Sequence, residues 1–260
     1  MLELEKRKTV ILSKNGEERG DIELPLLFSY PVRRDLIRRA FFSSFSKSIQ
    51  PKGRDSLAGK RTPAKSFGIG LGRARVPRIE SGEARLAPMV VGGRLAFPPS
   101  VDRKIEERIN RKEMRKAITS AISATGIREY VTRRGHLFEV KSLPIVMEDE
   151  IEKVNKTAEF VETLKKIGVY QDLIRVEKGK KIRPGKGKMR GRRYKVPVGP
   201  LVVVSKSTSE LIKAARNLLG VSVIYADALS VIHLAPGGEP GRLTIYSVSS
   251  IDKIKERLEV

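Results

Sequence analysis

The most pointed chemistry in this chain belongs to cations set among glycines. The stretch Ile182-Arg-Pro-Gly-Lys-Gly-Lys-Met-Arg-Gly-Arg-Arg-Tyr-Lys195 gathers Lys186, Lys188, Arg190, Arg192, Arg193 and Lys195 around three glycines and one aromatic ring. Glycine lets a backbone approach a phosphate closely, and arginine offers phosphate oxygens a bidentate fork. Tyr194 can stack on a base or pack on the body of the protein. A second stretch, Phe67-Gly-Ile-Gly-Leu-Gly-Arg-Ala-Arg-Val-Pro-Arg78, carries Arg73, Arg75 and Arg78. Lys60, Arg61 and Lys65 precede it, and Arg85 and Arg94 follow. The chemistry these residues suit is the binding of a polyanionic backbone.

The charge map agrees. The chain has 260 residues and a formal net charge of +23. Residues 43–99 hold 11 basic and 3 acidic side chains with eight Gly and six Pro, and residues 177–197 hold 10 basic and one acidic. The other 182 positions carry only +6. A mildly basic body thus bears two strongly basic excursions. Such local self-repulsion is relieved by a polyanion, which makes nucleic acid the expected partner.

Other chemistry finds little support. There is no Cys, which excludes disulfides, thiolate metal sites and cysteine nucleophiles. Two histidines, His136 and His233, cannot build a histidine-rich metal site, and no cofactor is expected. His136, in Arg133-Arg-Gly-His, reads as a surface or RNA contact, and His233 as a strand histidine with satisfied hydrogen bonds. Gly68-Ile-Gly-Leu-Gly-Arg fails the dinucleotide pattern at Arg73, and Pro77 interrupts the helix that should follow. Asp227 reads as a turn residue, and Glu148-Asp-Glu-Ile-Glu152 as an acidic helix start. The longest apolar run, Val198 to Val204, is seven residues and holds Gly199 and Pro200, far short of the roughly 18 a membrane span needs. The first eight residues lack the apolar stretch of a signal peptide, so a cytoplasmic protein is expected. The absence of Cys, with four Asn and two Gln, is a thermophile-like bias.

The elements that must position these cations read as α/β. Asn15-Gly16 between two apolar stretches predicts a β-hairpin. Pro31 opens a helix with Val32, Leu36, Ala40 and the Phe41/Phe45 pair on one face. Ser100 caps a second helix of about 25 residues, with Glu107–Arg111 paired on it. Leu143–Met147 is a strand, 148–167 a helix ended by Gly168, and 172–176 a short strand. Leu201–Val204 is a strand buried on both faces. Ser209–Leu219 is a helix stopped by Gly220. Val221–Tyr225, Val231–Leu234 and Leu243–Tyr246 are strands, and Ser249 with Asp252 forms a capping box for a last helix. The alternation predicts a mostly parallel sheet covered by helices, with a long extended internal basic loop. The expected division is 1–42 with 101–260 as an α/β body, 43–100 as an extended RNA-penetrating loop, and 177–197 as a basic RNA-contact loop within the body. Doubled back, the long loop spans at most about 90 Å.

The same residues carry a resemblance. Gly59-Lys-Arg-Thr-Pro-Ala-Lys-Ser-Phe-Gly, Gly70-Leu-Gly-Arg-Ala-Arg-Val-Pro-Arg, Gly92-Gly-Arg-Leu-Ala-Phe-Pro-Pro, Asn110-Arg-Lys-Glu, Gly185-Lys-Gly-Lys-Met-Arg-Gly-Arg-Arg-Tyr-Lys and Ala235-Pro-Gly-Gly-x-x-Gly-Arg occur in that order. In them the chain resembles the universal large-subunit ribosomal protein four family, in its archaeal/eukaryotic branch. The resemblance implies a structural, non-enzymatic constituent of the large ribosomal subunit with an α/β body on the subunit surface. Its long loop, here about 45–100 with its tip near Gly70–Arg85, would thread through ribosomal RNA to the nascent-peptide exit tunnel. The loop at 185–195 would be a second RNA contact. Implied partners are large-subunit ribosomal RNA, neighbouring ribosomal proteins and the nascent peptide near the tip, with no membrane. The alternatives are an RNA-modifying enzyme with basic docking arms, for which no acid, base or nucleophile set can be assembled, and a general nucleic-acid compactor.

Overall fold

The computed structural model describes residues 6–258, so residues 1–5 of the N-terminal reading lie outside the described residues. The chain forms two units, Met1–Phe45 with Glu107–Val260, and Ser46–Glu106.

The larger unit is built on a six-stranded sheet of β1 (Lys8–Leu12), β2 (Glu18–Glu23), β3 (Ile145–Met147), β6 (Leu201–Val204), β7 (Ser222–Tyr225) and β8 (Thr244–Ser247). The order is β2-β1-β3-β8-β6-β7, and every pairing is parallel except β1 with β2. The β1–β2 turn is held by Ser13, whose hydroxyl accepts from the backbone amides of Asn15 and Glu17. A separate two-stranded ribbon pairs β4 (Lys181–Ile182) with β5 (Tyr194–Lys195), antiparallel.

Side chains alternate across the central strands, as the pleat requires. Leu201, Val203 and Tyr246 face one core with Phe28, Ile37, Ile122 and Ile251. Val202, Val204 and Ile245 face the other with Phe160, Leu164 and Leu211. The first core is covered by α1 (Arg34–Ser46), α2 (Arg111–Thr125), α7 (Val231–Leu234) and α8 (Val248–Leu258); the second by α3 (Arg128–Arg133), α4 (Thr157–Ile167) and α6 (Leu211–Arg216). Each large side chain removed from water here contributes about 1.5–3 kcal/mol. Tyr246 meets Phe28 edge-on at 5.5 Å, and its hydroxyl shares a hydrogen bond with Thr125 at 3.1 Å.

The structure corrects several sequence expectations. Residues 172–176 are no strand but part of α5 (Tyr170–Lys178), because Val169, Asp172 and Val176 bury at helical spacing. Val231–Leu234 is a single helical turn, with Val231 and Leu234 inward at i,i+3 and the Ser230 hydroxyl bonded to His233. The helix expected from Ser100 begins only at Arg111. The Ser100 hydroxyl instead closes a local turn on Asp102, an alternative that short polar side chains offer the backbone. Glu107 therefore lies outside the helix on which it was to pair with Arg111. Residues 148–167 divide into a 3-10 turn, Asp149–Lys153, and α4, which Gly168 ends in the left-handed conformation. The helix expected from Pro31 starts at Arg34, since the Ser120 hydroxyl claims the Pro31 carbonyl and the Arg33 amide. The first turn of α8 is served by Ser247, whose hydroxyl accepts from the Ser250 amide, while Ser249 bonds Asp149 instead of making the box with Asp252.

The smaller unit has no core. No residue from 47 to 106 is buried. Two isolated bridges, Lys65 with Arg78 and Arg78 with Ala84, and scattered turns are its regular structure. The chain leaves the larger unit after α1 and re-enters just before α2. There the Ser43 hydroxyl donates to the Glu107 carbonyl at 2.8 Å.

Candidate nucleic-acid interface

The ribbon β4–β5 turns residues 180–195 into a preformed basic hairpin. The Arg183 amide donates to the Arg193 carbonyl at 2.8 Å, extending the ladder past Ile182–Tyr194. The Arg183 side chain braces the opposite strand, donating to the carbonyls of Arg192 at 2.9 Å and Tyr194 at 3.3 Å. A 3-10 turn at Lys186–Met189 closes the tip, and the amides of Arg190 and Arg192 both donate to the Gly187 carbonyl. Lys186, Lys188, Arg190, Arg192, Arg193, Tyr194 and Lys195 are all exposed. None of these cations has a carboxylate within 4 Å among the described residues, so their charge is free for an external anion. Tyr194 is covered by Lys180 at 4.6 Å and Arg193 at 5.7 Å from its ring centre. Its ring packs within the hairpin's own cations.

The eight cations singled out in the other unit divide by what holds them. Lys60, Lys65, Arg73 and Arg75 are exposed, and no ion pair forms on them among the described residues. Arg61 pairs with Asp55 at 2.6 Å, and Arg85 with Glu83 at 2.6 Å and the Val91 carbonyl at 3.2 Å. Arg78 is half-buried and donates to the Gly82 carbonyl at 2.8 Å, while its Nε has no partner among the described residues. Arg94 is half-buried, and its amide reaches the Leu86 carbonyl. Arg73, Arg75 and Arg78 line a cavity of about 350 Å³ with Phe67 and Leu71, so the glycine-rich stretch forms a basic, partly apolar pocket, and the chain is not helical again until Arg111. Ile69, Met89, Val91 and Phe97 stand in solvent, Phe97 at 95% exposure. A segment that exposes large apolar side chains and has nothing buried is suited to ordering against a partner.

Comparison with known proteins decides between the readings. The sequence model of the ribosomal protein L4/L1 family matches residues 22–257. The chain belongs to the ribosomal protein L4/L1 family. It is 59% identical over 259 residues to the large ribosomal subunit protein uL4 of Saccharolobus solfataricus, 57% to that of Sulfurisphaera tokodaii and 54% to that of Sulfolobus acidocaldarius. Each comparison covers 99% of this chain and 97% of the relative.

At the carboxyl ends of β6 and β8 this L4/L1 family member places a carboxylate held by three hydrogen bonds. Open parallel sheets bind ligands outside the carboxyl ends of their strands. Here Glu152 occupies the part of that edge at β6 and β8, accepting from the Ser205 amide at 2.6 Å, the Ser205 hydroxyl at 2.8 Å and the Ser247 hydroxyl at 2.6 Å. Lys253 donates to the Ser205 carbonyl at 2.8 Å. These bonds tie β6, β8 and α8 together.

His136 is also corrected. It is buried, not a surface or RNA contact, and its Nδ1 lies 3.0 Å from Asp172. Asp172 is fully buried and accepts further from the Leu137 amide at 3.0 Å and from Arg175 at 2.8 Å. Burial pushes the Asp172 carboxyl up, but the hydrogen bonds from His136 and Arg175 outweigh it and hold the group below the ordinary carboxylate range. Burial holds His136 below its ordinary value despite Asp172. His233 is a helical-turn residue, also depressed by burial and by Arg242. Arg242, the end of the Ala235-Pro-Gly-Gly motif, is the polar residue that sequence reasoning passed over. It is 3% exposed and donates to Gly199 and His233 carbonyls at 2.9 Å and to the Ser222 hydroxyl at 2.8 Å. Its signal was an arginine closing a glycine-rich turn, which composition alone files with the surface charge. No helix among the described residues is long and apolar enough to cross a membrane.

Proposed function

We infer that the protein is a structural constituent of the large ribosomal subunit that binds and organises ribosomal RNA. It is not an enzyme. The observation that carries the RNA contact is the hairpin 180–195, a braced turn presenting exposed cations without counter-ions among the described residues. Family membership carries the assembly: the relatives are large ribosomal subunit proteins. The partners are large-subunit ribosomal RNA and neighbouring ribosomal proteins.

The finer reading concerns Ser46–Glu106. This coreless basic segment penetrates ribosomal RNA, and its tip around Gly70–Arg85 contacts the nascent peptide in the exit tunnel. Exposed apolar side chains interleaved with arginines support it, because packing against RNA can supply the burial the segment lacks. Lys60, Arg61, Lys65, Arg73, Arg75, Arg78, Arg85 and Arg94 are its phosphate contacts.

Two measurements test the assignment. The protein should stay with large subunits through a high-salt wash. Binding to large-subunit ribosomal RNA should weaken with salt at a log–log slope of about −6 to −7, as eight phosphate contacts at about 0.7–0.9 each require. Absence from purified large subunits overturns the assembly, and a slope shallower than about −2 overturns the RNA-binding role. A photo-crosslinker at Leu71 that never captures a stalled nascent chain overturns the tunnel contact alone.

A further inference from the structure

The motif Ala235-Pro-Gly-Gly-Glu-Pro-Gly-Arg242 is absorbed neither by the hairpin nor by the basic segment. It forms a loop wedged between α1 and α3. Gly238 approaches α1 closely: a Cβ there would lie 3.4 Å from the Arg38 side chain. Gly241 has φ 94°, and a Cβ there would sit 2.5 Å from the Tyr130 backbone, so only glycine lets the loop lie this close to α3. Arg134 ties the loop down by donating to the Pro236 and Glu239 carbonyls.

The result is a groove of about 480 Å³ walled by Arg34, Tyr130, Arg133, Arg134, Pro236 and Glu239. Arg34 and Arg133 are exposed, and neither has a carboxylate within 4 Å among the described residues. The Arg34 guanidinium lies over the Tyr130 ring, 5.1 Å from its centre, and Arg34 is exposed to solvent. Behind the groove, the Arg242 guanidinium meets only carbonyls and a hydroxyl among the described residues. Burial and the neighbouring Arg134 lower Arg242 to about 10, so it still carries its charge at neutral pH. Glu239 is the one acid in the wall.

We propose that this groove is a third RNA contact, in which Arg34 and Arg133 hold backbone phosphates and the Arg34–Tyr130 stack receives a base. Net positive charge, an open trough and a planar guanidinium backed by an aromatic ring are the elements that recognise a nucleic-acid strand. The proposal rests on the RNA-binding reading above, and its test separates the two.

The test uses the full chain and large-subunit ribosomal RNA of Saccharolobus solfataricus transcribed in vitro. Arg34→Ala with Arg133→Ala should weaken binding about 10-fold or more and make the salt slope shallower by about 1.5. A charge-matched control on exposed residues away from the groove, Lys213→Ala with Lys255→Ala, should change the slope by less than half of that. Glu239→Gln should tighten binding, since it removes the groove's only repulsive charge. If the groove variant behaves like the control or the parent, or if Glu239→Gln weakens binding, the groove is not an RNA contact. The RNA-binding reading itself is judged separately, by Arg190→Ala, Arg192→Ala and Arg193→Ala together. A loss there without a loss in the groove variant overturns only this proposal.

Discussion

Asp172 shows how a single buried carboxylate organises three segments. It fixes His136, the Leu137 amide and Arg175, and Arg175 in turn donates to the Val198 carbonyl at 2.7 Å. Breaking such a network leaves buried partners unpaired, so Asp172→Ala should destabilise the larger unit by about 3–5 kcal/mol in denaturant titrations. The pH dependence follows from burial. His136 and His233 have folded values below the ordinary imidazole value. The unfolded chain therefore binds protons more readily. The contribution is fully present above about pH 6.5 and is lost as pH falls through the lower folded values. Asp172, also depressed, has the same sign at more acidic pH, below about pH 4. Unfolding midpoints should thus fall between pH 7.5 and 5, and His136→Gln should flatten that decline. An unchanged slope in the variant would remove His136 from the account. None of this was legible in the sequence: Arg-Gly-His reads as surface, and the partner that buries it lies 36 positions away.

At the scale of elements, the sequence was most legible where hydrophobic runs were long or fully buried. Leu201–Val204 is apolar at four successive positions and is a central strand buried on both faces. The hairpin at Asn15-Gly16 is present, and Gly168 ends α4 as expected. Short apolar runs failed for a physical reason. Over four or five residues a period of 2 and a period of 3.6 are hardly distinguishable, and only neighbours such as Val169 reveal that 172–176 turns as a helix. The hairpin β4–β5 was legible as a charge run but not as a ribbon, because its strands are two residues each and hold by side-chain braces from Arg183. That bracing preorganises the hairpin, and a preorganised surface loses little entropy on binding. Replacing Arg190, Arg192 and Arg193 with Ala should leave the circular dichroism spectrum unchanged and weaken RNA docking at least 10-fold. Deleting about 70–90 should do less, since a coreless segment must be ordered at about 1 kcal/mol or more per residue, offsetting much of its contact energy. If the deletion costs more affinity than the triple variant, the order of importance is reversed.

Across the whole molecule, burial is concentrated in one stretch of chain and absent from another. The larger unit owns every buried side chain outside α1's end, whereas residues 47–106 own none. Limited proteolysis of the free protein should therefore cut within 47–106 first and leave the sheet intact, with hydrogen exchange there fast. Strong amide protection across 60–95 would show a self-sufficient fold. The exit and re-entry points lie beside one another at the Ser43–Glu107 hydrogen bond. Replacing 47–106 by a six-residue Gly/Ser linker should accordingly give a folded body, more stable by about 2 kcal/mol from the shorter closed loop. Aggregation or loss of cooperative unfolding in that variant would mean the segment props up the body after all.

The Ser43–Glu107 junction also has a meaning for descent. A stretch that departs and returns at neighbouring points of the body can gain or lose residues without shifting a strand register or opening a core, and closure entropy rises only with the logarithm of its length. Mutation can therefore lengthen, shorten or rewrite 47–106 in one lineage while the sheet stays under its own, stricter selection. Among distant relatives the length of this stretch should vary more than the spacing between β3, β6 and β8.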